Sequence, residues 1–322
     1  MNQYELLQLL RHNAKQAAVQ LPKSLNIFLE KTTLIIDIPT KRTLENMQTD
    51  GAAIESWIFL LKRWIPKIEK VIIKWESLPP DYISTKENAV YHYQRFLYRM
   101  DKISKAFPWV TIPPSNQLDL ATSTFKTSKN LLMNTPSTKR ATKTVVKKEL
   151  EAYTESELEA LILFDPQTSN AFKQHFNLKK IDYQLPVGIF EANISNSTRV
   201  FSGRKSAIDI WGIDQDDNCC LFELKKAQNR KVGVLSEMFF YAHILLDVLN
   251  KNIQFAQNNQ YIQPILNTKK VKCFLLAPYS HPLIDKTVFQ LMNTSQFGIQ
   301  YAQAFIQEAD SQSILFSDFS AK

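Results

Sequence analysis

The chain has 322 residues, 44% hydrophobic and 22% charged, which is enough for one large domain or two ordinary ones. Its net charge of +8 favours a polyanionic partner, and only six glycines leave no Rossmann or Walker phosphate loop, which argues against nucleotide-binding enzymes of those types. No apolar run reaches the roughly 18 residues of a membrane span, so no membrane partner is expected. Cys219, Cys220 and Cys273 lie in apolar runs without CxxC spacing and read as buried thiols in a reducing cytoplasm, with zinc disfavoured.

Residues 1–114 read as a small α/β unit. A charged amphipathic helix over 4–19 does not have the form of a signal peptide. One or two strands follow over 25–39, with a hairpin at Glu30-Lys31. A Trp/Ile/Leu-rich helix over 52–65 ends at Pro66. A strand over 71–75, a long helix over 87–106 and a strand over 109–112 complete the unit. The long helix carries Tyr91, Tyr93, Arg95, Tyr98, Arg99, Lys102 and Lys105. Such a run either stacks bases and touches phosphates or covers a core with its aromatics, the second being the plainer reading.

Residues 115–150 are rich in Ser, Thr, Asn and Lys. Seven Lys/Arg against one Glu between 121 and 150 give a local charge of +6. A flexible basic linker is the expectation, with sequence-independent phosphate contacts as its functional counterpart.

The second unit, 151–322, begins with the capping box Thr154-Glu155-Ser156-Glu157 and a helix whose apolar face is Leu158, Leu161 and Ile162. A strand is expected over 180–190. Two apolar runs, 208–213 and 219–225, flank the polar turn 215–218 and form a hairpin. An amphipathic helix over 232–249, a buried strand over 271–277, a helix over 282–292 and a strand over 298–306 follow. The order is α-β-β-β-α-β, then α-β.

Charge placement within the hairpin points to chemistry. Side chains alternate along a strand, so Glu223 and Lys225 share a face, while Phe222 and Leu224 take the other. Asp209 on the neighbouring run lies within reach of them. Carboxylates in apolar surroundings pair or bind metal, and hard oxygen donors suit Mg²⁺ or Mn²⁺. The plain alternative is a surface hairpin with Glu223 and Lys225 as an ion pair.

Asp209 on one strand and Glu223-Leu224-Lys225 on the next resemble the signature of the PD-(D/E)xK nuclease superfamily, with Ile208 where the name has proline. The resemblance implies an α/β protein whose C-terminal domain is a restriction-endonuclease-like mixed sheet flanked by helices, with a smaller N-terminal α/β domain. It implies a Mg²⁺- or Mn²⁺-dependent nuclease of nucleic acid, with DNA favoured and RNA left open, suited by analogy to defence or repair. Asp209, Glu223 and Lys225 would be catalytic. Asp209, Glu223, the Leu224 carbonyl and Glu159 or Glu155 from the preceding helix would hold the metal. Arg204, Lys205, Lys226, Gln228, Arg230 and Lys231 are the candidates for contacts to the nucleic-acid backbone. Glu237 and Tyr241, one turn apart, either support the site or sit on the polar side of their helix. A homodimer would suit cutting both strands. The rival on the same fold is a non-catalytic nucleic-acid-binding or assembly module.

Overall fold

The computed structural model describes residues 1–79, 87–138, 142–201, 206–310 and 313–318. A four-stranded sheet lies near the N-terminus. Strands β1 (Asn26–Glu30) and β2 (Thr33–Ile38) form the expected antiparallel hairpin, its turn made by Lys31 at φ 53°. Strands β3 (Lys70–Trp75) and β4 (Val110–Thr111) extend the sheet in parallel, in the order β1-β2-β3-β4. Its helices are α1 (Gln3–Ala14), α2 (Ile54–Trp64) and α3 (Glu87–Ala106).

The segment expected as a linker contains helix α4 (Pro114–Ala121) and strand β5 (Leu131–Met133). Leu131 and Met133 are buried, which ties this stretch to the body despite its polar composition. The larger sheet is preceded by α5 (Glu155–Phe164) and α6 (Pro166–His175). The capping box of α5 forms as read: the Thr154 side chain accepts from the Glu157 amide, and the Glu157 carboxylate accepts from the Thr154 amide. Helix α6 had no forecast, because QTSNAFKQH lacks an apolar period. It is started by an Asp165 cap and Pro166, and anchored by buried Phe172.

The expected strand over 180–190 divides into β6 (Leu178–Pro186) and β7 (Ile189–Glu191). The hairpin follows as β8 (Ala207–Asp214) and β9 (Cys219–Leu224), then α7 (Val234–Leu249), β10 (Gln254–Phe255), β11 (Val271–Ala277), α8 (Lys286–Met292), β12 (Gln300–Asp310) and β13 (Ser313–Asp318). Helix α8 starts later than the proline at 282 suggested, because Asp285 caps it by accepting from the Val288 amide. β5 sits between β10 and β7 in a small three-stranded sheet.

The six-stranded sheet has the order β13-β12-β11-β9-β8-β6. It is mixed: β9, β11 and β12 run parallel, while β6/β8, β8/β9 and β12/β13 are antiparallel. One face, with Ile210, Phe222, Leu224 and Leu276, packs against Leu158, Leu161 and Phe172 of α5 and α6. On the other, Leu221, Cys273 and Leu275 share a core with Leu235, Met238 and Phe239 of α7.

Helix α7, expected as amphipathic, is buried on nearly every side, with Ser236, Glu237, His243 and Asp247 buried along with its apolar residues. Its far side meets α2: the Ser56 and Ser236 hydroxyls bond at 2.9 Å, and the Phe59 and Phe239 rings lie 6.3 Å apart. Ion pair Arg63–Asp285 (2.8 Å) ties α2 to the cap of α8. The core is therefore continuous from Leu6 to Tyr301 across all three sheets. Among the described residues, no helix is long and apolar enough to cross a membrane.

Candidate active site

The site lies where β8 and β9 stop pairing. Their ladder runs from Ile213↔Cys219 to Ile210↔Phe222 and ends there. One more step would pair Asp209 with Glu223. Instead, the Asp209 carboxylate accepts the Leu224 amide at 2.9 Å, replacing a ladder bond with a side-chain bond. This holds Asp209 beside the Glu223-Leu224-Lys225 backbone. Across β8 on its other side, Gln184 takes a left-handed conformation, φ 51°, between the paired positions Tyr183↔Ile210 and Leu185↔Ile208.

Alternation along β9 places the charged pair as the sequence implies. Phe222 and Leu224 enter the core beneath α5 and α6, while Glu223 and Lys225 face α7. Glu223 is 5% exposed and Lys225 7%. The Lys225 ammonium lies 2.5 Å from Glu223 Oε1 and 3.2 Å from Glu237 Oε2 on α7. Glu223 Oε2 is buried without a hydrogen-bond partner among the described residues.

Burial raises the Asp209 carboxyl to about 7, against the pull of Lys225 and the Leu224 amide, and with help from Glu159 and Glu155. Glu223 is likewise pushed well above the usual carboxylate range by burial, with Glu237 and Asp209 adding to the effect. Lys225 moves the other way from a typical buried lysine. Burial opposes its charge, but Glu223, Glu237, Glu155 and Asp209 outweigh it and hold the proton tightly. Four carboxylates thus act on one ammonium.

The two α5 glutamates have different surroundings. Glu159, 2% exposed, receives Lys143 Nζ at 2.5 Å and the Gln184 amide on its two oxygens. Glu155 accepts from Asn229 Nδ2 at 3.0 Å and lines a pocket of about 110 Å³ with Gln48, Lys225, Asn229, Lys231 and Glu237. Glu155 therefore shares open space with Lys225, while Glu159 is engaged by its own partners.

The backbone-contact candidates on the loop after β9 are spread over the surface. Lys226, Gln228, Arg230 and Lys231 are all exposed. Gln228 donates to the Glu151 carbonyl at 2.7 Å, the Arg230 guanidinium covers the Tyr279 ring at 4.7 Å, and Lys231 reaches the pocket. Arg204 and Lys205 lie outside the described residues. Asp214, Asp216 and Asp217 serve the turn as read: Asp214 accepts from the Asp216 and Asn218 amides.

Several residues joined here had little or no sequence signal. Gln48 donates to Glu237 Oε1 across 189 positions of chain. Gly233, just before α7, lets that loop in: a Cβ there would stand 2.6 Å from the Gln48 carbonyl oxygen. The spacing of Glu237 and Tyr241 by one turn was the only hint of their role. Tyr241 is buried and held far above the usual phenol range by burial, Glu223, Glu237 and Asp209. No family model matches the chain, and no curated protein matches it.

Among the described residues, no group of three or more His, Cys, Asp or Glu side chains is gathered so as to hold a metal ion by itself. Asp209 and Glu223 nonetheless suit a hard divalent cation. Mg²⁺ commonly takes one or two carboxylates and leaves its other positions to water and substrate phosphate. The unpartnered Glu223 Oε2 and the carboxylate excess around Lys225 fit added positive charge at this point.

Proposed function

We propose that the chain is a metal-dependent nuclease of the PD-(D/E)xK kind on a restriction-endonuclease-like domain, hydrolysing phosphodiester bonds of nucleic acid, with DNA as the preferred substrate. The observation that carries this reading is the open end of the β8–β9 hairpin. There Asp209 is bonded to the Leu224 amide, and Glu223 keeps a buried oxygen without a partner beside a lysine that stays charged. The mixed six-stranded sheet with helices on both faces supports the fold assignment.

Asp209 and Glu223, with the Leu224 carbonyl, would hold Mg²⁺ or Mn²⁺, and Glu155, which acts electrostatically on Asp209, lines the pocket that Lys225 also lines. When bound, such an ion supplies Lewis-acid polarisation of the phosphoryl group and a more acidic water. Lys225 keeps its proton, so its contribution is a fixed positive charge where negative charge develops on the phosphoryl oxygens. Glu237 is a second carboxylate on Lys225, and Gln48 bonds to Glu237. The exposed cations of the loop after β9 would steer the phosphate backbone.

The test is incubation of the full chain with single- and double-stranded DNA and RNA, with Mg²⁺, Mn²⁺ or EDTA. Cation-dependent products, strongest on DNA and absent for Glu223→Ala, are expected. Binding of nucleic acid without cleavage under any of these conditions would overturn catalysis and favour a binding or assembly module.

A further inference from the structure

Helix α3 carries two arginines one turn apart, both buried, with different partners. Arg99 is closed: its guanidinium meets the Glu55 carboxylate at 2.7 Å through Nε and donates to the Ala52 carbonyl at 2.9 Å. Arg95 is 4% exposed, and its one hydrogen bond among the described residues is to His92 Nδ1 at 3.1 Å. No carboxylate among the described residues pairs with it. A guanidinium has five N–H donors, and Glu237 and Glu55 act on this one without an ion-pair contact, which leaves most of its donors to be met.

A second arginine reaches the same place from the other half of the chain. Arg199 is fixed by a backbone bridge to Phe190 on β7 and lies over the Tyr91 ring at 4.3 Å. Its Nε is buried and has no hydrogen-bond partner, and no carboxylate among the described residues pairs with it either. His92 lies within the fields of both arginines. Burial, Arg95 and Arg199 lower it to about 4 against a bond to the Glu45 backbone, so its ring is neutral at pH 7 and adds no charge. Two guanidiniums with spare donors, one with an orphaned N–H, thus come from separate segments to the adjacent residues Tyr91 and His92, Arg199 over the tyrosine ring and Arg95 bonded to the neutral histidine.

We propose that Arg95 and Arg199 form a phosphate-binding site that grips the nucleic-acid backbone next to the cleavage centre. The naming of nucleic acid rests on the nuclease reading, whereas the anion site itself rests on the two arginines. A guanidinium fork matches phosphate oxygens in a bidentate manner and keeps its charge when buried. The position suits a phosphate neighbouring the one attacked: Arg95 acts electrostatically on Tyr241 and Glu237, and Tyr241 in turn feels Glu223 and Asp209. Burial lowers the Arg95 guanidinium to about 10, so it remains charged at neutral pH. The N-terminal half of the chain would then contribute directly to substrate binding.

The experiment measures binding of a labelled DNA duplex by the full chain in EDTA over a range of salt, for wild type, Arg199→Ala, Arg199→Lys and Arg95→Lys, each checked by thermal melting. Arg199→Ala should weaken binding about tenfold and reduce the slope of log affinity against log salt by about one. Arg199→Lys should recover part of the affinity, and Arg95→Lys, which keeps the charge in the core but not the fork, should lose several-fold. Folded variants that bind DNA like wild type with an unchanged salt slope would overturn the proposal. A parallel melt with inorganic phosphate separates the sources. Wild type protected by phosphate, Arg199→Ala unprotected, and DNA binding unaltered would mean a free-phosphate ligand and overturn the backbone assignment. Loss of DNA affinity in Arg199→Ala with no cleavage by wild type would leave this site standing and the nuclease reading fallen. Cleavage dependent on Glu223 with unchanged Arg variants would do the reverse.

Discussion

The two ends of the β8–β9 hairpin each hold an aspartate and treat it in opposite ways. At the turn end, Asp214 is 2% exposed and accepts from Asn218 N at 2.7 Å, Asn218 Nδ2 at 2.9 Å, Asp216 N at 3.0 Å and Lys272 Nζ at 2.7 Å. Burial pushes its carboxyl up, yet Lys272 and Asn218 hold it below the usual range. At the open end, Asp209 accepts one backbone amide and rises to about 7, while Glu223 keeps an oxygen with no partner. Burial raises both carboxyl groups; at Asp214 the bonds from Lys272 and Asn218 outweigh it, and at Asp209 the Lys225 charge and the Leu224 amide do not. A closed carboxylate stabilises a turn. An open one, beside a charged lysine, is poised for a ligand.

The comparison can be pressed from either end. The largest effect should come from Lys225→Ala, which removes the ammonium on which four carboxylates act and should slow DNA cleavage roughly 10²–10³-fold, measured in single turnover. Retained rate would place the lysine in structure alone. At the turn end the same operation should act on stability. Asp214→Ala leaves Asn218 and Lys272 without their acceptor and should cost about 2 kcal/mol in urea unfolding while leaving the cleavage rate unchanged.

An orphaned atom by itself does not make a site, and His243 shows the contrast. It is 1% exposed on α7, its Nδ1 bonds to the Phe239 carbonyl at 2.8 Å, and its Nε2 has no partner, yet its surroundings are aromatic. Burial lowers it to about 4 against that carbonyl bond, with Lys102 lowering it further and Asp247 opposing. The folded state therefore prefers the neutral ring. That preference is complete above the ordinary histidine value and is lost as pH falls from about 6.5 towards 4. Between pH 7.5 and 4.5, wild type should lose about 2 kcal/mol more stability than His243→Gln. Equal losses would show that the ring is not held neutral.

The smallest effect tests the reach of the N-terminal half. Gly233→Ala drives a methyl group against the Gln48 backbone, and should cost about 1–2 kcal/mol and lower cleavage several-fold by moving Gln48 away from Glu237. Unchanged cleavage would make that contact a matter of packing only.

What could be read from the sequence followed the range of the physics involved. Glu223 and Lys225 on one strand face were legible because alternation is local, and Asp209 because a short polar turn returns the chain beside them. The capping box of α5 and the helix α7 were legible for the same reason. Gln48 was not, because nothing in a polar stretch announces a bond 189 residues away. Arg95 and Arg99 read alike as cations on a long helix, and only the fold shows that Glu55 closes one and not the other. The stretch over 115–150 looked like linker because its few apolar residues, Leu131 and Met133 among them, carry no period, although they are buried in a small sheet. Helix α6 was hidden likewise, since one buried phenylalanine anchors it.

The most direct test is Glu223→Gln, followed in parallel by unfolding and by cleavage. Glu237 remains as the partner of Lys225, and the carboxyl group is replaced by an amide of the same shape. Stability equal to or above that of wild type, with DNA cleavage abolished, is the predicted result. A variant that is less stable yet still cleaves would show that Glu223 closes a structural ion pair, as Asp214 does, and would contradict the assignment of the open end as the active site.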